Sequence, residues 1–377
     1  MPPLPPAPIP PVSHSNASFG VRVLTYRFNA LAPSARRLPC RLAVVALLVG
    51  TTTEVPAQLA PVGSVDFYGV RKTPIAQVRD ALGIAVGDSL SALTLLMVPG
   101  RLADIPGVMS AAIDPVCCED GKTMLYVGIA EEGAPELGLR APPDGASRLA
   151  PDVVATGHAL SLARERAIMR GITREDVSEG HSLMSDSAAR ALQLRYVALA
   201  ARDLDSLRTV LRTSADPDHR ALAAEVLGYA ADKRSVVDDL VFAMRDPSAG
   251  VRNSATRALA LIAGLAQKRP DLGIRVPYEP FVDLLNSLTW SDRNKASLAL
   301  MQLTETRDPA ALAALKTRAF DSIVDLARWT NPGHAMPGIF MLARIAGIPD
   351  GDAYAMFERG EREKIIDAAT KARSAAR

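Results

Sequence analysis

The stretch Arg252-Asn253-Ser254-Ala255-Thr256-Arg257-Ala258-Leu259 returns forty-one residues later as Arg293-Asn294-Lys295-Ala296-Ser297-Leu298-Ala299-Leu300. A looser copy, Arg220-Ala221-Leu222-Ala223-Ala224-Glu225-Val226-Leu227, stands thirty-two residues upstream of the first. Asp-Pro steps accompany these units at Asp216-Pro217, Asp246-Pro247 and Asp308-Pro309. Self-similarity at this period predicts a solenoid of helix pairs, because one pair cannot bury its apolar face until a neighbour is stacked on it. Ala255, Ala258, Leu259 and Ile262 fall at the three-and-four spacing of one helix face, as do Ala296, Ala299, Leu300 and Leu303. Small Ala beside Leu lets neighbouring helices approach and interlock. Asp246 is expected to cap a helix whose first turn Pro247 fixes.

The composition of the whole chain agrees with that local reading. Of 377 residues, 48% are hydrophobic and 22% charged, which excludes global disorder. Aromatics are only 5%, too few for a large β-sandwich or barrel, so Ala, Leu, Val and Ile must build the core. The formal net charge of +2 removes any global case for a nucleic-acid partner. That charge is uneven: residues 1–57 hold five Arg against one Glu, whereas residues 58–186 hold eleven basic and seventeen acidic residues.

The run from Asp246-Pro247 through Val251-Arg252 and Ala255 to Leu259 resembles HEAT repeats, in particular the bilin-lyase-like subtype, over about residues 187–347. The resemblance implies that Arg252 and Arg293 tie adjacent inter-helix turns through Asp or backbone carbonyls. It also implies a rival function, a lyase-like enzyme or cofactor-handling protein. The helical array holds no Cys, which excludes a thiol nucleophile or bilin attachment point there. Basic and acidic residues alternate along the repeats, the pattern of solvated helix faces. Residues 361–371, beginning Glu361-Arg362-Glu363-Lys364, read as a polar capping helix.

Ahead of the repeats the pattern is different. Residues 64–68 alternate as a strand and end at Gly69. Thr73 is the expected cap of a helix with Pro74 at its first position and Ile75, Val78 and Leu82 inward, closed by Gly83. Asp88 is the expected cap of a second helix reaching about Asp104, broken by Ile105-Pro106-Gly107. Residues 108–116 and 123–131 read as strands joined by the turn Glu119-Asp120-Gly121-Lys122, since Asp-Gly between extended runs is a strong hairpin signal. Gly69, Thr73, Gly87-Asp88, Ile105-Pro106-Gly107-Val108 and the ending Val127-Gly128-Ile129-Ala130-Glu131-Glu132 together resemble a polypeptide-transport-associated (POTRA) domain. The resemblance implies a small non-catalytic binding module that adds a partner strand at a sheet edge. It also implies an accessory role in envelope or outer-membrane assembly.

At the extreme N-terminus, Arg36-Arg37-Leu38-Pro39-Cys40-Arg41 precedes the apolar run of residues 42–50, and Val55-Pro56-Ala57 follows. Positive charge, a short apolar run and a small-residue site have the order of a secretory signal peptide, with cleavage expected after Ala57. Nine apolar residues are far fewer than the ~20 of a spanning helix, so no stable membrane span remains after processing. Because residues 1–11 contain seven Pro, the true start is expected downstream, at Val21, Val23 or Leu31. The domain reading is a signal and extension over 1–57, the POTRA-like module over 58–132, a Gly/Pro-rich linker over 133–152 and the solenoid over 153–377.

Candidate chemistry is sparse. Cys117-Cys118 read as a pair at the end of a strand, since neighbouring cysteines close a strained ring only with difficulty; a redox pair or soft-metal site is the alternative. The steps Gly157-His158, Gly180-His181 and Gly333-His334 read as capping or packed histidines at helix starts, being too scattered for zinc. Nucleophile-elbow, His-Glu-x-x-His, Cys-x-x-Cys, Walker and Gly-x-Gly-x-x-Gly motifs are absent from the sequence. The sequence thus assigns no catalytic, cofactor-binding or metal residue and no cofactor. It predicts an α+β module followed by an all-α HEAT-like solenoid, in a periplasmic or secreted non-enzymatic scaffold that binds protein partners and no nucleic acid.

Overall fold

The computed structural model describes residues 59–375. Cys40, the segment read as an export signal and the expected cleavage after Ala57 lie outside the described residues. An α+β unit comes first: β1 (Val62–Tyr68), α1 (Ile75–Leu82), α2 (Ala92–Ala103), β2 (Val108–Glu119) and β3 (Lys122–Glu131). The sheet order is β1-β3-β2, with β1 parallel and β2 antiparallel to the central β3. The hairpin turns where expected, at Asp120 and Gly121, both left-handed with φ of 49° and 72°.

Two helix starts in this unit differ from the sequence reading. Thr73 does not cap α1; its N–H donates to Glu131, Pro74 holds the cap position and Ile75 is exposed. Asp88 closes its own turn by accepting from Ala85 N, and Ser91 caps α2 by accepting from Thr94 N. At α2 a side chain three residues nearer the helix met the free N–H groups first, whereas at α1 no side chain caps the helix. One face of the sheet packs Leu125, Val127 and Ile129 against Val78, Val98 and Leu102 of the two helices. Its other face, carrying Tyr68, Met124 and Tyr126, joins the core of the helical array.

That array runs through α3 (Pro151–Met169), a two-residue strand pair β4 (Glu175–Asp176) and β5 (Leu183–Met184), α4 (Ser187–Thr213), α5 (Pro217–Leu227), α6 (Val237–Ala243) and α7 (Ala249–Lys268). It continues with α8 (Glu279–Leu284), α9 (Trp290–Leu303), α10 (Pro309–Ala314), α11 (Phe320–Ala327), α12 (Pro332–Ile345), α13 (Asp350–Glu358) and α14 (Arg362–Ser374). Helices α4, α5, α7, α9, α12 and α14 stack in succession, and α6, α8, α11 and α13 form the outer layer. The recurring apolar positions are the reason: Ala255, Leu259, Ile262, Ala296, Ala299 and Leu300 are all fully buried. Among the described residues, no helix is long and apolar enough to cross a membrane.

The Asp-Pro steps do two jobs. Asp216 and Asp308 cap α5 and α10 with Pro at the first position. Asp246 is not the cap of α7: Ser248 holds the cap position, α7 starts at Ala249, and the Asp246 carboxylate is fully buried against Arg220. The reading of solvated charges along the repeats also needs correcting, because Arg220, Arg252, Arg293, Lys295, Asp246 and Asp292 are buried. Residues 134–150 form no helix or strand, yet they do not hang free. Arg140 N donates to Arg245 O, Ala215 N to Gly145 O and Leu149 N to His219 Nδ1, so the segment runs back along the inter-helix turns as a strap.

Candidate binding cleft

The repeated arginines build a ladder along the turns that join outer to inner helices. Each donates to the carbonyl six residues before it: Arg220 to Ser214, Arg252 to Asp246 and Arg293 to Ser287. Each also reaches towards the next turn. Arg220 holds both Asp246 oxygens at 2.9 Å, and Arg252 holds Asp292 at 2.7 to 3.1 Å. Arg252 and Arg293 are therefore structural, as the repeat resemblance implied.

Arg293 completes its rung differently. Its guanidinium lies 4.4 Å over the ring of Tyr68 from β1, its nearest acid is Asp325 at 3.9 Å, and its buried Nη1 has no hydrogen-bond acceptor. Asp325 is instead taken by the α+β unit: Gly69 N and both Arg71 terminal nitrogens donate to it at 2.6 to 3.0 Å. Gly69 must be glycine here, since its φ is +79° and a Cβ would stand 2.0 Å from the Ile129 carbonyl. Burial lowers the Arg293 pKa, with Asp325 opposing it.

Around that rung the unit is bolted to the array by buried polar contacts. Asp66 accepts from the Thr330 N–H and hydroxyl, Asp114 accepts from Trp290 N, and Tyr68 donates to Leu288 O at 2.5 Å. Burial raises the pKa values of Asp66 and Asp114, while these donors pull both back. Tyr126 stacks on Trp290 at 5.3 Å and lies tilted against Trp329 at 4.8 Å, and its hydroxyl meets His334 Nδ1 at 2.6 Å. Gly128 makes room for this arrangement, because a Cβ there would meet the Tyr68 ring at 2.5 Å. Sequence reasoning missed this interface, although both tryptophans of the chain belong to it.

Between the docked unit, the beginning of the strap and the α8–α9 and α11 side of the array lies a cleft of about 870 Å³. Met109 and Ser110 of β2, Glu132 and Glu136, Arg293 and Arg318 line it. β2 is an edge strand with no further strand beside it among the described residues, and Met109 is 70% exposed. At the root of the cleft, Glu131 accepts from the N–H groups of Arg71, Lys72 and Thr73 at 2.7 to 3.0 Å. Burial would raise the Glu131 pKa, but these bonds together hold it below the usual glutamate value.

A second, smaller cavity of about 140 Å³ is lined by Arg164, His181, Tyr229, Asn253 and Arg257. Lys233 donates to Gly228 O and faces His181 Nδ1 at 3.1 Å, and burial pushes its pKa down to about 8. Lys295, buried beside Arg257 and Glu175, is pushed down to about 7, first by burial and then by Arg257. No signal in the sequence marked these lysines, since each lies among ordinary helix charges.

The histidines are dispersed, and two of the three change place, since His181 precedes β5 rather than a helix. His158 lies inside α3 rather than at its start, His181 packs on Tyr229 at 5.0 Å, and His334 sits in the first turn of α12. Among the described residues no group of His, Cys, Asp and Glu has the spacing to hold a metal. Cys117 and Cys118 lie at the end of β2 as read, but they are joined in a disulfide, which the sequence reading disfavoured.

Residues 204–275 match the family model of HEAT repeats. No curated protein matches the chain. Among solved structures the chain is similar to a designed armadillo repeat protein, 17% identical with a TM-score of 0.32, over 52% of this chain and 97% of that one. A second designed armadillo repeat protein, in complex with the peptide (KR)4, is 17% identical with a TM-score of 0.34, over 59% and 98%. An engineered protein is 19% identical with a TM-score of 0.32, over 60% and 98%.

Proposed function

We propose that this chain, an α+β unit docked on HEAT-like repeats, is an exported, non-enzymatic scaffold that holds a protein partner in the cleft between the two. The cleft carries the reading: one wall is an unpaired strand edge, which offers main-chain donors and acceptors to an extended peptide. The other wall supplies fixed side chains, Arg293 and Arg318, and the cleft is large enough for several residues of a partner. The order β-α-α-β-β, with β1 and β2 flanking a central β3, supports the POTRA-like reading of the unit and, with it, an accessory role in envelope assembly. Export rests on the signal-like order of residues 36–57.

A photocrosslinker placed at Met109 tests the partner reading, with Leu272, exposed on the array and outside the cleft lining, as control. A discrete adduct from Met109 and none from Leu272 is expected. No adduct, or the same adducts from both positions, contradicts it. N-terminal sequencing of the exported chain, expected to begin at Gln58, tests processing separately.

A second reading, a lyase-like or cofactor-handling protein, draws on the smaller cavity and the low pKa of Lys233. Absorbance and metal content of the purified protein decide against it if the protein is colourless and metal-free.

A further inference from the structure

Four arginines converge where the strap passes the beginning of α7. Arg220, buried, spends Nε and Nη2 on Asp246. Arg140 comes from the strap, with its guanidinium 3.4 Å over the ring of Phe242 and Nη2 3.5 Å from Asp246. Arg212 lies over the same ring at 4.3 Å and donates to Asp239 at 2.6 Å. Arg245 donates from Nε to Gly138 O at 2.9 Å. Both acids are already engaged, since Asp239 also takes Arg208 and Asp246 also accepts from Ser248 N. With Arg208 and its second acid Asp205 included, five guanidiniums stand against three carboxylates, an excess of two positive charges.

The detail that points to a ligand is Arg140. Its Nε is buried without a hydrogen-bond acceptor, and its buried Nη2 meets Asp246 only at 3.5 Å, outside hydrogen-bond geometry. Its backbone is fixed, because Arg140 N donates to Arg245 O at 2.8 Å, so the side chain is held in place rather than drifting over the surface. Buried donors are mostly satisfied in native proteins, so an unpaired Nε–H beside a loosely held Nη2 marks room for a further acceptor. The field there agrees. Burial, followed by Arg220, Arg212 and Arg245 against Asp246, holds the Arg140 pKa below the ordinary arginine value. A guanidinium presents its donors as a planar fork that matches two oxygens of an oxyanion.

We infer that Arg140, Arg212 and Arg245, gathered around Phe242, bind a phosphoryl group. Arg140 supplies the two-pronged hydrogen bond, while Arg212 and Arg245, both solvent-exposed, supply charge. An excess of two positive charges is matched better by a dianion than by a single carboxylate. None of the three arginines lines the cleft, so this site stands apart from the partner reading.

Calorimetric titration of inorganic phosphate into the whole chain, at pH 8 and constant low ionic strength, tests the inference. Saturable 1:1 binding is expected, weakened at least tenfold in Arg140→Gln and about threefold or more in Arg212→Gln. Arg359→Gln, an exposed arginine at the other end of the array, is expected to leave it unchanged. Acetate is expected to bind at least tenfold more weakly than phosphate. Glycerol 3-phosphate run alongside separates the sources: tighter binding than phosphate assigns an ester-borne group, and equal binding assigns the free anion. Circular dichroism of the variants guards against misfolding, and Arg212→Gln, altered at an exposed side chain, keeps the test open if Arg140→Gln fails to fold. No saturable heat with the wild-type chain, binding unchanged in both cluster variants, or acetate binding as tightly as phosphate overturns the assignment.

Discussion

Arg220 and Arg293 occupy the same place in their helices, yet one rung of the ladder closes within the repeats and the other closes on a foreign domain. Arg220 meets a buried carboxylate from the next turn and is fully paired. Arg293 meets an aromatic ring and an acid already claimed by Arg71, across a contact between residues more than two hundred positions apart. A repeat array can satisfy its buried charges by translation of one unit. Where the next turn offers no free carboxylate, as after α9, it must borrow groups from elsewhere, and the α+β unit supplies them here.

The largest effect should come from breaking the internal rung. Asp246→Ala leaves Arg220 buried without its counter-charge and is expected to cost about 3–5 kcal/mol in urea unfolding. Adding Arg220→Met to that variant should restore most of the loss. If the single variant costs under about 1 kcal/mol, the ladder does not hold the turns together.

The borrowed rung should be worth less. Asp325→Ala removes the acceptor of Gly69 N and Arg71, whose side chain is partly solvated, and is expected to cost about 1–2 kcal/mol. Its sharper signature is local: protease cleavage within residues 133–139 should quicken while the repeats stay folded. Equal cleavage rates in variant and wild type would mean that the rung does not secure the unit.

These two regions also separate what the sequence discloses from what it hides. Arg252, Arg293 and the Ala and Leu positions beside them repeat, so periodicity revealed the stack, and the HEAT resemblance implied the structural role of the arginines. The succession of elements, the hairpin turn and the two helices of the α+β unit were legible because strand, helix and turn signals are local. The docking was not, since Asp66, Asp114 and Tyr126 read as ordinary strand residues until Thr330, Trp290 and His334 arrive from the far end of the chain. Asp246 was misread for the same reason, because a capping pattern and a buried ion pair look alike until the partner helix is in place.

Lys295 sharpens the contrast from inside the array, as a buried charge outside the ladder. Its folded pKa of about 7 lies below the ~10.4 of an unfolded lysine, so the unfolded chain binds the extra proton between those values. The penalty is therefore full below about pH 7 and fades as pH rises towards 10. Lys295→Met is expected to stabilise the protein by on the order of 2 kcal/mol at pH 6, with a smaller gain at pH 9. A gain that grows with pH would contradict the assignment. The smallest effect belongs to the exposed pair Arg328 and Glu363, where Glu363→Ala should change stability by less than about 0.5 kcal/mol.

Docking of the α+β unit on the repeats underlies both the borrowed rung and the cleft, and an intramolecular distance tests it most directly. Nitroxide labels at the exposed positions Met97, on the unit, and Leu272, on the array, can be measured by pulsed electron resonance. A unit bolted through Asp66, Asp114, Tyr68 and Tyr126 predicts a single narrow distance distribution. A broad or multiple distribution in the otherwise wild-type chain would show a tethered unit instead, and the cleft would lose its second wall.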